Sequence, residues 1–116
     1  MKRGEIWLCQ LNPTVGREQA GTRPALILSA DEFNASRAEL VVVLPITSKQ
    51  RALPSRVRVG PPEGGLSQES WIICEQPRTV STTRLRKRLG AVRPATLVAV
   101  ETIVGMLLGF LPARRP

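Results

Sequence analysis

The sequence predicts an α+β fold in which a small, curled or barrel-like sheet precedes one C-terminal helix. Short apolar segments separated by turn residues fill the first three quarters of the chain, a pattern typical of strands. The last quarter changes to apolar steps of three and four, which is typical of an amphipathic helix. The 116 residues suit one domain, 1–116, with one hydrophobic core.

The predicted strands cover residues 5–11, 24–29, 40–46, 57–59, 69–74 and, as a candidate sixth, 89–92. The first stops at Asn12-Pro13, because this pair favours a turn. Continuous aliphatic runs at 24–29 and 40–46 indicate buried strands. Valine alternates with arginine at 57–59, which favours a half-exposed strand.

The predicted helix covers residues 95–111 and begins next to Pro94, where a missing N–H costs little. We expect Pro112 to end it. Gly105 and Gly109 lower its intrinsic propensity, so tertiary or dimer packing must hold it. Glu101 and a marginal length argue against a membrane span. Its predicted apolar face consists of Leu97, Val100, Val104, Leu107 and Leu111.

Charge and composition narrow the classes of function. The net charge is +8, with 17 Lys and Arg against 9 Asp and Glu, which favours a polyanion such as nucleic acid; an acidic protein or a merely basic surface are the alternatives. The chain lacks histidine, so His-based catalysis and His metal sites are excluded.

Cys9 and Cys74 lie in apolar runs, which favours reduced core thiols. No secretory signal is visible, and we expect a cytoplasmic protein.

Four motifs carry a resemblance to a known family. They are Arg-Gly-Glu-Ile-Trp at 3–7, Pro-x-x-Gly-x-Glu-Gln-x-Gly-x-Arg-Pro at 13–24, Pro-Ile-Thr-Ser at 45–48 and Glu-Gln-Pro-Arg-Thr at 75–79. In these motifs the chain resembles the MazF/PemK toxins. The similarity runs from residue 2 to about residue 92, and the terminal helix matches only in kind.

The resemblance implies a small SH3-like antiparallel β-barrel with short helices and a C-terminal helix. It also implies a homodimeric toxin endoribonuclease that cuts single-stranded RNA, including mRNA, at short specific sequences. A cognate acidic antitoxin protein would neutralise it. Neither a metal nor any other cofactor is expected. The RNA sequence that is cut and the identity of the antitoxin are not visible in the chain.

Three residues are the candidates for catalysis. Arg23 lies where a loop enters a strand, so its planar guanidinium would be held rigidly for a phosphate. Thr47 lies where the third predicted strand ends, and its hydroxyl can reach the same phosphate if the two strands pair. Glu18 is the only carboxylate of the loop motif and is the candidate for general base or for orienting Arg23. A surface arginine, a turn hydroxyl and an exposed loop acid are the structural alternatives.

Further residues of the same motifs and of the loop after the third strand are candidates for RNA binding, because single strands expose base edges and phosphates. Their alternative role is hydrogen bonding within loops. These candidates are Gln19, Gly21, Ser48, Lys49, Gln76 and Arg78. A basic run could track RNA or antitoxin, or simply be a solvated face: Arg84, Arg86, Lys87, Arg88 and Arg93.

Two other functions stay open. A gyrase-poisoning toxin family shares this fold, but its activity resides in an aromatic C-terminal tail, whereas this chain ends Leu-Pro-Ala-Arg-Arg-Pro. The other alternative is a nucleic-acid-binding module without turnover. For a nuclease without metal, attack by the substrate's 2′-oxygen is the expected route, giving a 2′,3′-cyclic phosphate and a 5′-hydroxyl.

Overall fold

The computed structural model describes residues 1–49 and 53–112, so the end of the C-terminal tail, 113–116, lies outside it. Within this part of the chain the elements are, in order, β1 Glu5–Gln10, β2 Thr22–Ile27, α1 Asp31–Asn34, β3 Leu40–Thr47, β4 Arg56–Val59, β5 Ser70–Ile73, β6 Arg78–Ser81, β7 Leu85–Ala91 and α2 Pro94–Leu107. Short 3₁₀ turns at Glu63–Gly65 and Thr82–Arg84 precede β5 and β7.

The strands form one antiparallel sheet that curls around β3. Its order is β4-β5-β3-β2-β1-β7, and β6 also pairs with β3. Residues Leu40 to Val43 of β3 pair with β6, whereas Ile46 and Thr47 pair with β5. No ladder joins β4 to β7 among the described strands, so the sheet is curled without being closed. The predicted α+β fold, a small barrel-like antiparallel sheet followed by a helix, is confirmed.

The core consists of two clusters, one on each face of the sheet. In β2, Leu26 belongs to the cluster that also contains Val100 of α2, whereas Ala25 and Ile27 belong to the second cluster. Strand β3 is divided in the same way, with Ile46 in the first cluster and Val43 in the second. Because both faces of these strands are buried, they read in the sequence as continuous aliphatic runs.

The start of α2 is anchored by the side chain of Glu63, in the first 3₁₀ turn. Its carboxylate accepts hydrogen bonds from Arg93 N at 2.9 Å and Thr96 Oγ1 at 2.6 Å. It also accepts from the Arg93 guanidinium at 3.1 and 2.8 Å. These donors lie in the first turn of the helix, where backbone N–H groups have no partner within the helix and negative charge is favourable.

The prediction that the helix runs to Leu111 and is ended by Pro112 is wrong. The helix ends at Leu107, and Gly109 follows with φ +80°. Phe110 N then donates to Gly105 O at 2.8 Å and Gly109 N to Met106 O at 3.2 Å, a Schellman motif. Leu107 is exposed, so only the earlier part of the predicted apolar face packs inward. No helix of the described residues is long and apolar enough to cross a bilayer.

Several short elements differ from the prediction. Strand β6 and the single-turn helix α1 were not predicted, because β6 has only one buried apolar residue, Val80, and α1 has four residues. Strand β7 begins at Leu85 rather than at 89, since its exposed Arg-Lys-Arg segment lies on an edge strand. Cys9 and Cys74 are buried free thiols, as predicted.

Candidate active site

Arg23 is held by the ladder between β1 and β2, where its Cα pairs with that of Cys9. Its Nε donates to Ala20 O at 2.9 Å, which fixes the plane of the guanidinium. The residue is half-buried. Within the described chain no carboxylate forms an ion pair with it, so its terminal nitrogens can meet an external anion.

Thr47, the last residue of β3, lies near Arg23. The ladder between β2 and β3 pairs Ala25 with Pro45, and the same antiparallel register places Thr47 across from Arg23. Thr47 is only 5% exposed. Its Oγ1 accepts from Lys49 N at 3.2 Å, so the hydroxyl proton can be donated to another acceptor.

A cavity of about 300 Å³ brings the two residues together. The groups around it that can contact an anion are two cations, Arg23 and Lys49, together with hydroxyls and one amide. Its described lining contains no acidic residue, which suits a phosphate. The lining consists of Thr22, Arg23, Pro24, Ile46, Thr47, Ser48, Lys49, Leu66, Ser67, Gln68 and Ser70.

One wall of the cavity, formed by Ser67, Gln68 and Ser70, was not predicted from the sequence. Strand β5 pairs with the end of β3 through Thr47 and Trp71, and this pairing carries the preceding segment to the cavity. Ser70 is 5% exposed, and its Oγ donates to Gln68 O at 2.9 Å. The signal in the sequence is the polar segment directly before an apolar strand, but it is useful only once the partner of β5 is known.

Glu18 lies away from this cavity. Its side chain is exposed, and Oε1 accepts from Val15 N at 2.7 Å within the loop between β1 and β2. In the described residues it makes no ion pair with Arg23, so an orienting role is not what this conformation displays. It lines a second cavity of about 260 Å³ with Gln19, Pro45, Glu75, Gln76, Pro77 and Arg78.

The other loop candidates divide into two groups. Ser48 and Lys49 are exposed on the Arg23 cavity. Gln76, in contrast, is bound to the loop: its Oε1 accepts from Gln19 N at 3.0 Å and its Nε2 donates to Arg17 O at 3.3 Å.

The remaining three candidates are also engaged with the loop, Gln19 through the bond from its N–H to Gln76. Arg78 donates to the carbonyl oxygens of Leu11 and Pro13. Gly21 has φ +78°, which allows its N–H to reach Asn12 Oδ1 at 3.1 Å. In this conformation Arg78 and Gly21 therefore shape the loop.

Thiol and metal chemistry find little support here. Burial raises the pKa of Cys9, against the opposing effect of nearby arginines, and raises that of Cys74 to about 12. Both thiols are therefore neutral and poor nucleophiles. Within residues 1–49 and 53–112, no three His, Cys, Asp or Glu side chains are grouped so that they could hold a metal ion.

Residues 2–108 match the family described as the PemK-like, MazF-like toxin of type II toxin–antitoxin systems. Endoribonuclease PemK of Escherichia coli is 41% identical over 96% of this chain and 79% of its own length. MazF of Deinococcus radiodurans superposes with a TM-score of 0.83 at 26% identity, over 94% of this chain and 96% of that one.

A mycobacterial endoribonuclease, solved in complex with its cognate antitoxin, superposes with a TM-score of 0.80 at 28% identity, over 98% of this chain and 99% of that one. The sequence match covers 79% of the PemK relative, and the structural matches cover 96% and 99% of the solved chains. The chain belongs to the PemK-like, MazF-like toxin family of type II toxin–antitoxin systems.

Proposed function

We propose that this toxin is an endoribonuclease that cuts single-stranded RNA at short specific sequences, without a metal ion, through attack by the substrate's 2′-oxygen. The observation that carries the proposal is the cavity on which Arg23, Thr47 and Lys49 meet without an acidic residue in its described lining. The relatives named endoribonucleases support the same reaction class.

In this mechanism the protein orients the strand and stabilises charge on phosphorus. The terminal nitrogens of Arg23 contact the non-bridging oxygens, while the bond from its Nε to Ala20 O keeps the fork in place. Thr47 donates a hydrogen bond from its hydroxyl to the same phosphate. The 2′-oxygen loses its proton to a base and forms a new bond to phosphorus, while the bond to the 5′-oxygen breaks and that oxygen takes up a proton from water. The products are a 2′,3′-cyclic phosphate and a 5′-hydroxyl.

Removal of the 2′-hydroxyl proton needs a base, and Glu18 is the candidate. Its carboxylate now accepts the Val15 N–H and faces the second cavity. The proposal therefore requires RNA to draw the loop between β1 and β2 inward. Glu18→Gln should lower kcat on the order of a hundredfold, and a variant that keeps wild-type kcat would remove Glu18 from the mechanism.

The test uses purified protein and a labelled RNA library in excess EDTA. We expect cleavage to continue in EDTA, with cyclic phosphate ends. An RNA sequence that the protein cuts should still bind, but should not be cleaved, when the nucleotide before the cut site is replaced by its 2′-deoxy form. Cleavage of that substrate, or arrest by EDTA, would overturn the mechanism. A module that only binds would leave every RNA whole, and a gyrase poison would trap cleaved DNA instead.

We also propose a symmetric homodimer, held in part through α2 and the residues after it. Apolar side chains are exposed there: Val98 by 60%, Leu108 by 53% and Phe110 by 81%. Exposed apolar residues clustered on one element favour an interface. Sedimentation should give a dimer at micromolar concentration, whereas a stable and active monomer would contradict this assembly.

Regulation would come from an acidic antitoxin that binds the same basic surface as RNA. The net charge of +8 favours such a partner, and a relative of the same fold is solved with its cognate antitoxin. We expect the acidic segment to cover Arg23. Saturating RNA should weaken antitoxin binding, and simultaneous binding at full affinity would exclude this competition.

A further inference from the structure

The loop between β1 and β2 is held by two arginines that lie more than sixty residues away in sequence. Arg78, at the start of β6, donates through Nη1 to Leu11 O and through Nη2 to Pro13 O at 3.3 Å. Arg84, just before β7, donates through Nη1 to Gln10 O at 3.0 Å and to Asn12 O. Four consecutive carbonyl groups, those of residues 10 to 13, therefore accept from two guanidinium groups.

These contacts are transmitted to Arg23 through the closure of the loop. Leu11 N donates to Gly21 O at 2.9 Å, and Gly21 N donates to Asn12 Oδ1 at 3.1 Å. The start of the loop thus fixes its end. Ala20 O, immediately before Gly21, is the acceptor that orients the Arg23 guanidinium. A shift of residues 10 to 13 would therefore displace the group that binds phosphate.

We propose that Arg78 and Arg84 are positioning residues, which act on Arg23 through the loop and do not touch RNA. This inference rests on the proposed function and replaces the expectation that Arg78 contacts the substrate. Arg78 bridges its two carbonyls with both terminal nitrogens of the fork, which an ammonium, a point charge, does not reproduce. Arg84 reaches both of its carbonyls through Nη1 alone. The role of Arg78 therefore depends on the shape of the side chain and not on its charge alone.

The first test compares Arg78→Ala with Arg78→Lys, and includes Arg84→Ala. If the two arginines hold the loop, Arg78→Ala, Arg78→Lys and Arg84→Ala should each lose about tenfold or more in kcat, with KM changed less than about twofold. Arg37→Ala is the matched control, since Arg37 is exposed and precedes β3 at the end opposite Thr47. It removes one charge and should keep wild-type kcat.

Salt dependence separates positioning from RNA contact. Loss of one phosphate contact lowers the slope of log affinity against log salt by about 0.7 for a single strand. Arg78→Ala should leave this slope unchanged. If the slope falls by that amount, or if Arg78→Lys keeps wild-type kcat, Arg78 contacts RNA and the inference is wrong.

A double-mutant cycle tests the route through Arg23. Arg78→Ala on top of Arg23→Ala should slow cleavage less than about twofold further, because the group being positioned is already absent. A full additional tenfold loss would show that the two residues act independently and would overturn the proposal.

Amide hydrogen exchange gives a readout that needs no RNA. In Arg78→Ala, and in Arg78→Lys if the alanine variant does not fold, exchange should accelerate at Leu11 and Gly21 but not in the core of β3. Unchanged exchange at these amides would overturn the inference. A wild-type protein that cut no RNA would overturn the proposed function and the catalytic half of this inference, while exchange would still decide whether the arginines hold the loop.

Discussion

The cavity at Arg23 and the anchor of α2 at Glu63 both contain an arginine. The arginine of the anchor is paired with a carboxylate, whereas the arginine of the cavity is not. At the anchor, the Glu63 side chain is 6% exposed and accepts two hydrogen bonds from the Arg93 guanidinium. At the cavity, Arg23 donates from Nε to a neutral carbonyl, and within the described chain neither it nor Lys49 forms an ion pair.

This difference distinguishes the cavity, which we expect to bind a phosphate, from the anchor, which stabilises the fold. A carboxylate surrounded by donors stabilises the folded chain, and removing it leaves those donors without a partner. Two cations on a cavity without a nearby acid repel one another and gain when an anion enters. Substitutions at the cavity should therefore change catalysis with little change in stability, and substitutions at the anchor should do the reverse.

The largest expected effect is that of Arg23→Ala on cleavage. The rate should fall on the order of a hundredfold or more, as for loss of a main electrostatic donor. Arg23→Lys should not fully rescue it, because it lacks the fork. The free energy of unfolding should stay within about 0.5 kcal/mol of wild type. Arg37→Ala serves as the control. If Arg23→Ala lost cleavage only because the variant unfolds, the distinction between the cavity and the anchor would be wrong.

Glu63→Gln should give the converse result. The amide loses the charge that holds Arg93 and Thr96, so the free energy of unfolding should fall by about 1–3 kcal/mol, measured with urea. Cleavage at a temperature where the variant is folded should match wild type. Glu101→Gln, on α2, breaks a partly exposed pair with Arg3, which precedes β1, and should cost less than about 1 kcal/mol. Equal losses in the two variants would contradict a special anchor.

Low pH should lower the free energy of unfolding, because carboxylates that accept several hydrogen bonds stabilise the fold only while they are ionised. Burial acts to raise the pKa of Glu5, but hydrogen bonds from Lys2 N, Arg88 and Trp7 outweigh it and lower the pKa to about 2. The pKa of Glu63 is also lowered, since bonds from Thr96 and Arg93 outweigh burial.

A carboxyl with a lowered folded pKa stabilises the protein above its unfolded pKa, near 4.5, and this contribution is lost as the pH falls through the folded pKa. The free energy of unfolding should therefore decrease between about pH 5 and pH 2. Glu5→Gln should flatten that decrease when unfolding is followed at several pH values. The same slope in wild type and variant would show that Glu5 is not its source.

Strands β2 and β3, which carry Arg23 and Thr47, were predictable from the sequence because strands buried on both faces consist of continuous aliphatic residues. The register was not predictable, and it decides which polar residues meet. Arg23 and Thr47 come from motifs at the ends of two neighbouring strands, so their approach could be anticipated. Ser67 and Gln68 could not be placed, because the pairing of β5 with only the last residues of β3 leaves no local signal.

Arg78 illustrates a different limit of sequence reasoning. Its motif marks it as important, and a cation in a basic chain favours RNA contact. In the structure its guanidinium meets backbone carbonyls of the β1–β2 loop. Backbone acceptors are present at every residue, so the sequence does not reveal when a side chain binds them. The partner becomes visible only when the fold brings the loop to β6.

Substitutions at the C-terminal end of α2 should give the smallest change in stability, and they test a second feature that holds this helix. Pro112 was the expected stop, but Gly109 ends the helix earlier because its φ of +80° closes the Schellman motif. A Cβ on Gly109 would meet nothing within 4 Å, so Gly109→Ala tests backbone strain without a steric clash. We expect a loss of about 1 kcal/mol in the free energy of unfolding, with unchanged cleavage.

Gly105→Ala is the contrasting variant at the same helix end. There the added Cβ would lie 2.8 Å from Leu111 Cδ1, a clash with a flexible side chain and not with backbone. Alanine also favours a helix interior by about 1 kcal/mol over glycine, which offsets part of that clash. Gly109→Ala should therefore be the less stable of the two in urea unfolding. The reverse order would mean that packing of Leu111, and not the left-handed residue, fixes where α2 ends.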